Sequence, residues 1–510
     1  MHIDLNSCFA IIEQQANRLL RGRPVGVAAY DTPRGFVLAA SYEAKRMGVK
    51  LGVNVAQARE MCPGIVILTP DPAKYREAHR RFNELLLEFT PDVVPKSIDE
   101  FVLDFSGSQF LKNQNMEDGS RNIEGTSSQP ILDSTFFIPD SAYSEHCARM
   151  EAIGRRIKQR VKEVLGEWVT VNIGIGSNRF LAKYAAGFGK PDGMTVITHA
   201  NLEAFYCCGD FTTCARLRKN SSRQCKNSPM ELVDLPGINV RYAARLKACG
   251  INTPLEFFAA DERLLKKTVF KSVVGYYWWA RLRGHEVDNR SFTTKSIGHQ
   301  YAIPKKTSDK KELERLLMKL CEKVGRRLRK KNVCARGIHL YLGFEKYRDD
   351  VVVDKAYAPG TNTDYVVGAV GFDQMNKMRS WHEGRRLEHR LYATSDIFQA
   401  ARTVLSRADI VLRVKLMAIT VYDLEPWDPE QLSIFDRQVQ GDEATKQHEG
   451  HKTPIQQTEY RGQEALRRLS DAMDMLNDRY GEFVITPATM MDMRGEILDR
   501  IAFSNRPEPL

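Results

Sequence analysis

The sequence predicts a multidomain α+β protein: a ferredoxin-like sheet first, then a helical hairpin, then a basic α/β domain, then a C-terminal tail. Three observations carry this prediction. The first 200 or so residues run strand, helix, excursion, strand pair, helix, strand, which is the split βαβ arrangement with a subdomain inserted after the first helix. The segment from Leu235 to Ile251 places a Pro-Gly turn before a short helical pattern and Gly250 after it. Between Arg290 and Asp350 there are 17 Lys+Arg against 7 Asp+Glu, so nearly the whole cationic excess lies in one stretch. A chain of 510 residues, 43% hydrophobic, is long enough for about three or four domains, each with its own core.

Each element has its own signal. Residues 2–6 read as a strand, and Phe9, Ile12 and Leu19 mark a helix near 8–20. Short mixed elements follow over 36–65. Phe82, Leu85, Leu86 and Phe89 give helical spacing from Tyr75 to Phe89. Val93-Val94 and a strand with Phe101, Leu103 and Phe105 on one face make the central pair. Residues 112–129 are polar and rich in Asn, Ser and Gly, which predicts a surface insertion. A helix is expected from about 145 to 165. Val169, Val171, Ile173 and Ile175 then alternate as a strand, and Ser177-Asn178 can cap the next helix. Residues 207–229 hold Cys207, Cys208, Cys214 and Cys225, but a vicinal pair with uneven gaps suits a loop insertion better than a zinc site.

The hairpin at 235–251 resembles a helix-hairpin-helix, in which turn amides and a helix N-terminus grip a nucleic-acid phosphate without reading sequence. The cluster Tyr276-Tyr-Trp-Trp279 reads as core. A further α/β domain spans about 291–425, with a strand at Gly337–Leu342 and a poorly patterned stretch at 352–390. In the tail, Gln431-Leu-Ser-Ile-Phe435 is an apolar peptide set in polar sequence, and 437–457 reads as linker. Leu466, Leu469, Met473 and Leu476 then form one stripe of an amphipathic helix.

The net charge of +11 and pI near 9.0 point to a polyanionic partner. The densest basic run is Lys323-Val-Gly-Arg-Arg-Leu-Arg-Lys-Lys331. Its concentration favours phosphate contact over a merely solvated helix face. No apolar run is long enough to span a bilayer, and no positively charged stretch followed by an apolar one opens the chain. The expectation is a soluble cytoplasmic protein, with no membrane partner and with its ten cysteines reduced.

Chemistry concentrates in three carboxylates: Asp4 in His-Ile-Asp-Leu-Asn, and Asp99-Glu100 in Ser-Ile-Asp-Glu. Adjacent carboxylates repel unless a cation or a shared proton offsets the charge. In a ferredoxin-like sheet the first strand lies beside the central hairpin, so Asp4 would meet Asp99 and Glu100 on one surface. That all-oxygen set suits Mg²⁺. Two such ions can activate an attacking oxygen and stabilise a leaving phosphate oxygen.

Six motifs in order resemble the Y-family, or translesion, DNA polymerases typified by UmuC and DinB, from residue 2 to about 425. They are His2-Ile-Asp-Leu-Asn-Ser-Cys-Phe9, Ala40-Ser-Tyr-Glu-Ala-Lys-Arg-Met-Gly-Val-Lys50, Ser97-Ile-Asp-Glu100, Gly174-Ile-Gly-Ser-Asn-Arg-Phe-Leu-Ala-Lys183 continuing to Lys190-Pro-Asp-Gly193, the hairpin at 235–251, and Lys295-Ser-Ile-Gly-His299. The resemblance implies a palm at 1–22 and 73–206, fingers at 23–72, a thumb at 207–288, a little finger at 289–425 and a tail at 426–510.

By motif position, Asp4, Asp99 and Glu100 match the catalytic, metal-binding carboxylates, with the Leu5 carbonyl as a further ligand to two Mg²⁺ ions. Phe9 matches the steric gate against a ribose 2′-hydroxyl. Tyr42, Lys45 and Lys183 match the holders of the incoming triphosphate. Pro236 and Gly237 of the hairpin, with Arg326, Arg327, Arg329 and Lys330 of the basic run, would contact DNA. Gln431, Leu432, Ser433, Ile434 and Phe435 resemble the peptide by which bacterial polymerases dock on the β sliding clamp. The implied partners are primer–template DNA, deoxynucleoside triphosphates, that clamp and accessory damage-response subunits.

Asn6, Ala39 and Lys45 depart from the DinB pattern toward UmuC, whereas Tyr42 leans the other way. The chain also begins unusually close to Asp4, which suggests a first strand short of a few residues. Two other classes fit the sequence less well. A non-catalytic polymerase paralogue scaffolding a repair complex would be expected to lose a metal carboxylate, and all three are present. A palm-fold nucleotide cyclase would not need the hairpin or the basic domain. The resemblance thus implies an error-prone, template-directed DNA polymerase acting on damaged templates.

Overall fold

The computed structural model describes residues 1–107, 140–208, 230–289, 294–345, 380–410, 412–427, 454–481 and 484–490. The predicted insertion at 112–129, most of 207–229, most of 352–390 and the peptide Gln431–Phe435 lie outside the described residues. The chain divides into two compact units at Arg290/Ser291.

In the first unit, β1 (His2–Leu5), β2 (Val25–Ala28), β3 (Val37–Ala40), β4 (Val66–Leu68), β5 (Val93–Pro95), β6 (Glu100–Leu103), β7 (Val171–Ile175) and β8 (Met194–Val196) form two sheets. The larger has the order β5-β6-β1-β7-β8. Its first four members follow the ferredoxin-like order, with β1 antiparallel to both β6 and β7, and β8 is added parallel to β7. Side chains alternate across a strand. Ile3, Leu5, Phe101, Leu103, Val171 and Ile173 therefore share one core with Tyr75, Phe82, Leu85 and Leu86 of helix Pro72–Leu87 and with Ile157 and Val161 of helix Asp140–Val164. The alternate residues of β1, His2 and Asp4, belong to the opposite face.

Helix starts match their local chemistry. Asp71 caps Pro72–Leu87 by accepting from the Lys74 amide, and Pro72 occupies the first turn, where a missing N–H costs nothing. Asn178 caps the helix Arg179–Ala185 and also donates to the carbonyls of Arg281 and His285, tying that helix to the following module. Gly174 lets this helix lie directly on the sheet, because a Cβ there would stand 2.0 Å from the Ala182 carbonyl oxygen.

The smaller sheet, β3-β2-β4, carries the short helices Tyr42–Arg46 and Val55–Met61. Its core is Val37, Ala40, Ala44, Val49, Ala58, Cys62 and Ile65. Helices Val240–Lys247, Pro254–Ala259 and Val274–Leu282 build a third core around Leu246, Phe257 and Trp278. Gly237 and Gly250 have φ of 88° and 81°, the left-handed turns on which the hairpin pattern relies. Within the aromatic cluster Trp278 is buried, as expected, but Tyr276 is exposed.

The second unit is an antiparallel sheet of β9 (Ser296–Thr307), β10 (Val333–Phe344), β11 (Ser380–Leu391) and β12 (Val414–Pro426), ordered β11-β10-β12-β9. Helices Lys310–Lys330 and Thr394–Leu405 cover one face and share its core. The C-terminal helix Pro454–Tyr480 binds the 310–330 helix through ion pairs, Arg329 to Asp474 and Arg326 to Asp478. Leu466, Leu469 and Leu476 of its predicted apolar stripe are exposed instead. No helix among the described residues is long and apolar enough to cross a membrane.

Candidate active site

The register of the larger sheet sets Asp4 opposite Glu100 across β1 and β6. The Leu5 amide donates to the Asp99 carbonyl at 2.9 Å, holding the turn before β6 against β1. All three predicted carboxylates thus reach one edge of the site. Burial raises the Asp4 carboxyl above its ordinary range, and Lys190 opposes that rise. Burial lifts Asp99 to about 6, with Asp4 and Glu100 adding repulsion and a 2.5 Å hydrogen bond from the Ser97 hydroxyl opposing it.

Two lysines answer this concentrated negative charge. Lys183 Nζ donates to both Glu100 oxygens, at 3.0 and 2.7 Å. Lys190 is ion-paired with Asp4. Among the described residues, no three Asp, Glu, His or Cys side chains are drawn together at metal-ligand spacing. The donors nevertheless suit a hard divalent cation in kind. They are oxygens, they are partly desolvated, and positive charge already collects beside them.

The other expected nucleotide contacts cluster beside this edge. Lys45 Nζ donates to the Ser7 hydroxyl at 2.7 Å and lies 4.7 Å from the centre of the Tyr42 ring. Burial, with Asp4 nearby, raises Tyr42 to about 12, so its phenol stays protonated. Ser7 itself has φ 49°, a strained left-handed turn that ends β1 and starts the helix Cys8–Ala16. Phe9 is fully buried and stacks on Tyr75, with ring centres 4.4 Å apart and planes 12° apart. The Tyr75 hydroxyl donates to the buried Glu13, which also pairs with Lys74 at 2.8 Å.

A cleft of about 860 Å³ adjoins the carboxylates. His2, Asp99, Glu100 and Lys183 line one wall, and Pro236, Gly237, Tyr242 and Trp278 line the other. The predicted hairpin residues therefore face the carboxylates. The sequence motifs contain His2, Arg179 and Lys190 but assigned none of them a role. The signal for His2 was its place two residues before Asp4, on the same strand face, whereas nothing in the sequence paired Lys190 with Asp4.

The four basic residues of the second unit fare differently. Arg329 is buried, and its guanidinium donates to both Asp474 oxygens at 2.6 and 3.0 Å. Arg326 is paired with Asp478, and Arg327 donates to the Gly298 carbonyl at 2.7 Å. Lys330 is exposed. The expectation of four phosphate-facing cations needs correcting for Arg329. A guanidinium sealed against an internal carboxylate does not offer its charge to a solvent-borne polyanion. The clamp-like residues Gln431, Leu432, Ser433, Ile434 and Phe435 are outside the described residues.

Comparison with known proteins matches two family models, the impB/mucB/samB family over residues 3–187 and the impB/mucB/samB family C-terminal domain over 294–434. The chain is 30% identical over 500 residues to "DNA polymerase IV" of Moorella thermoacetica, covering 96% of each chain. It is 30% identical over 353 residues to "DNA polymerase IV 1" of Bacillus subtilis, covering 68% of this chain and 70% of that relative. Among solved structures it is similar in fold to a Y-family DNA polymerase chimera of Dbh and Dpo4, with a TM-score of 0.56 and 19% identity over 83% of this chain and 98% of the other. The lean toward the UmuC side gains no support from these relatives.

Proposed function

The chain belongs to the impB/mucB/samB family, the Y-family DNA polymerases, and from that membership we propose that it inserts deoxynucleotides opposite damaged template bases, with the error-prone fidelity of translesion synthesis. It is a DNA-directed DNA polymerase. The observation that supports the finer reading is the placement of Asp4 opposite Glu100 across β1 and β6, with Asp99 and Glu100 lining a cleft faced by Pro236 and Gly237.

Asp4, Asp99, Glu100 and the Leu5 carbonyl would hold two Mg²⁺ ions, which supply activation of the primer hydroxyl and neutralisation of the leaving pyrophosphate. The protein's own share is positioning and charge. Lys183, Lys45 and Tyr42 hold the triphosphate, and Phe9 bounds the sugar. The turn at Pro236-Gly237 presents the Gly237 amide, not Pro236, which has no N–H, to a backbone phosphate. Residues 1–22 and 73–206 act as palm, 23–72 as fingers, 207–288 as thumb and 289–425 as little finger. The tail at 426–510 carries Gln431–Phe435, which docks on the β sliding clamp, and accessory damage-response subunits join the polymerase at the lesion. The work is done in the cytoplasm, on primer–template DNA.

The test is primer extension with Mg²⁺ on undamaged and abasic-site templates. Asp99→Ala and Glu100→Ala should each abolish incorporation while leaving primer–template affinity largely intact. Near-normal extension by both folded variants would remove the assignment.

A further inference from the structure

Gln14 lies on the helix Cys8–Ala16 and is only 2% exposed. Its side chain joins three parts of the first unit. Nε2 donates to the Leu20 carbonyl at 3.2 Å and to the Arg23 carbonyl at 3.0 Å, where the chain leaves that helix for β2. It also donates to Glu43 Oε2 at 3.2 Å, on the helix Tyr42–Arg46. Oε1 accepts from the Trp168 indole N–H at 3.2 Å, in the turn between the helix Asp140–Val164 and β7. Nε2 faces only acceptors in these contacts and Oε1 faces a donor, so the network itself orients the amide. Arg21 closes the same corner, donating to the Gln14 carbonyl at 3.2 Å and pairing with Glu167 at 2.6 Å.

The helix Tyr42–Arg46 has five residues, too few to hold its own place, so its position comes from its anchors. Ser41 anchors its start: the hydroxyl accepts from the Ala44 amide and donates to the same Arg23 carbonyl that Gln14 reaches. Glu43 anchors its side through Gln14. Tyr42 and Lys45, three positions apart, share a face and both hydrogen-bond Ser7. Glu43 comes one position after Tyr42 and points round the helix to Gln14 instead. A bond on one side of this short helix therefore fixes where the other side puts its phenol and its ammonium.

We propose that Gln14 is a positioning residue for nucleotide binding: through Glu43 it sets the helix that carries Tyr42 and Lys45 to the incoming triphosphate. The inference rests on the polymerase site proposed above, in which those two side chains hold the nucleotide. Gln14 itself acts only through Glu43 and makes no contact with substrate.

Single-turnover incorporation by the full chain, on an undamaged primer–template with Mg²⁺, tests it. Gln14→Leu and Glu43→Ala should each raise the apparent nucleotide dissociation constant about tenfold, the loss expected for one hydrogen bond to a charged group. The primer–template constant should stay close to wild type. The double variant should be no worse than the poorer single one, because both changes remove the same bond. Glu43→Gln, which keeps an oxygen acceptor without the charge, should bind nucleotide nearly as well as wild type. An unchanged nucleotide constant in either single variant, additive effects, a matching loss of primer–template affinity, or a Glu43→Gln as weak as Glu43→Ala overturns the proposal. If Gln14→Leu fails to fold, Gln14→Glu replaces it. That variant keeps the acceptor for Trp168 but sets a carboxylate against Glu43, so nucleotide binding should weaken. Adding Glu43→Gln then reverses donor and acceptor and should recover part of the loss, and no recovery overturns the proposal. Lys45→Ala run alongside separates the two ideas. An unchanged nucleotide constant there removes the triphosphate reading and this proposal with it, whereas a raised one beside a wild-type constant in Gln14→Leu removes only the role of Gln14.

Discussion

Replacing Asp474 with Ala should destabilise the second unit by about 3 kcal/mol. Arg329 and Asp474 have side chains only 3% and 14% exposed and share two hydrogen bonds, at 2.6 and 3.0 Å. Removing one partner of a buried pair strands the other charge, which costs roughly 3–5 kcal/mol. The lower end applies here because Arg329 keeps the Tyr392 carbonyl at 3.4 Å, Thr394 Oγ1 at 3.3 Å and Glu322 at 3.9 Å. For a unit of this size, 1 kcal/mol moves the midpoint by about 2–4 °C, so the shift should be roughly 6–12 °C.

Differential scanning calorimetry of the full chain gives the shift, read on the transition that moves. A cycle with Arg329→Met tests the cause: the double variant should be much less destabilised than the sum of the singles, because it leaves no stranded charge. Raising salt should leave most of the effect in place, since a buried pair is weakly screened. A shift under about 2 °C, or additive single variants, would refute the claim that this pair holds the C-terminal helix to its domain.

Other consequences can be checked separately. Phe9→Ala should raise ribonucleotide relative to deoxyribonucleotide incorporation; because Phe9 is fully buried, Phe9→Leu serves as the milder variant, and an unchanged ratio in both active variants would make Phe9 ordinary core. Gly174→Val should cost about 4 kcal/mol or more, because its Cβ would stand 2.0 Å from a backbone oxygen, and a near-native melting temperature would contradict that packing. Lys330→Ala should flatten the dependence of log K on log salt for duplex DNA by up to about 0.9, read by fluorescence anisotropy, with no loss of thermal stability. Leu432→Ala with Phe435→Ala should abolish binding to a bacterial β clamp in surface plasmon resonance and spare clamp-free synthesis; equal affinity would place the docking site elsewhere.

Much of the first unit was legible because its signals are local. Alternation at Val171, Ile173 and Ile175, the Asn178 cap and the helical spacing through Phe82, Leu85 and Leu86 all specify their elements, and the element order then specifies the sheet. The meeting of Asp4 with Glu100 followed from that order alone. Ser380–Leu391 was not legible. It is a strand at the sheet's edge, and charged side chains stand at its half-buried positions (Glu383, Arg385) as well as at its exposed ones (Arg386, Glu388), so no apolar alternation marks it. The lysine partners of the carboxylates were also hidden. Lys183 and Lys190 come from the helix after β7 and the loop beyond it, and nothing local says which acid each will meet.

The basic run shows why composition misleads where helical phase decides. Counted along the chain, Lys323 to Lys331 is a block of positive charge. Wound into a helix, Glu322, Arg326 and Arg329 fall at i, i+4 and i+7 and therefore share one face. Asp474 and Asp478 meet Arg329 and Arg326 on that face, and Glu322 lies 3.9 Å from Arg329 on the same helix. Lys319 and Lys323 are buried as well, whereas Lys330, at the helix end, is exposed. One stretch thus serves two physical roles. Part of its charge is neutralised internally to hold the C-terminal helix, whereas Lys330 turns its charge to solvent. A variant that neutralises the whole run would confound the two, losing domain stability through Arg329 and electrostatic attraction through Lys330. Single substitutions separate them, because the first moves the melting temperature and the second moves the salt slope.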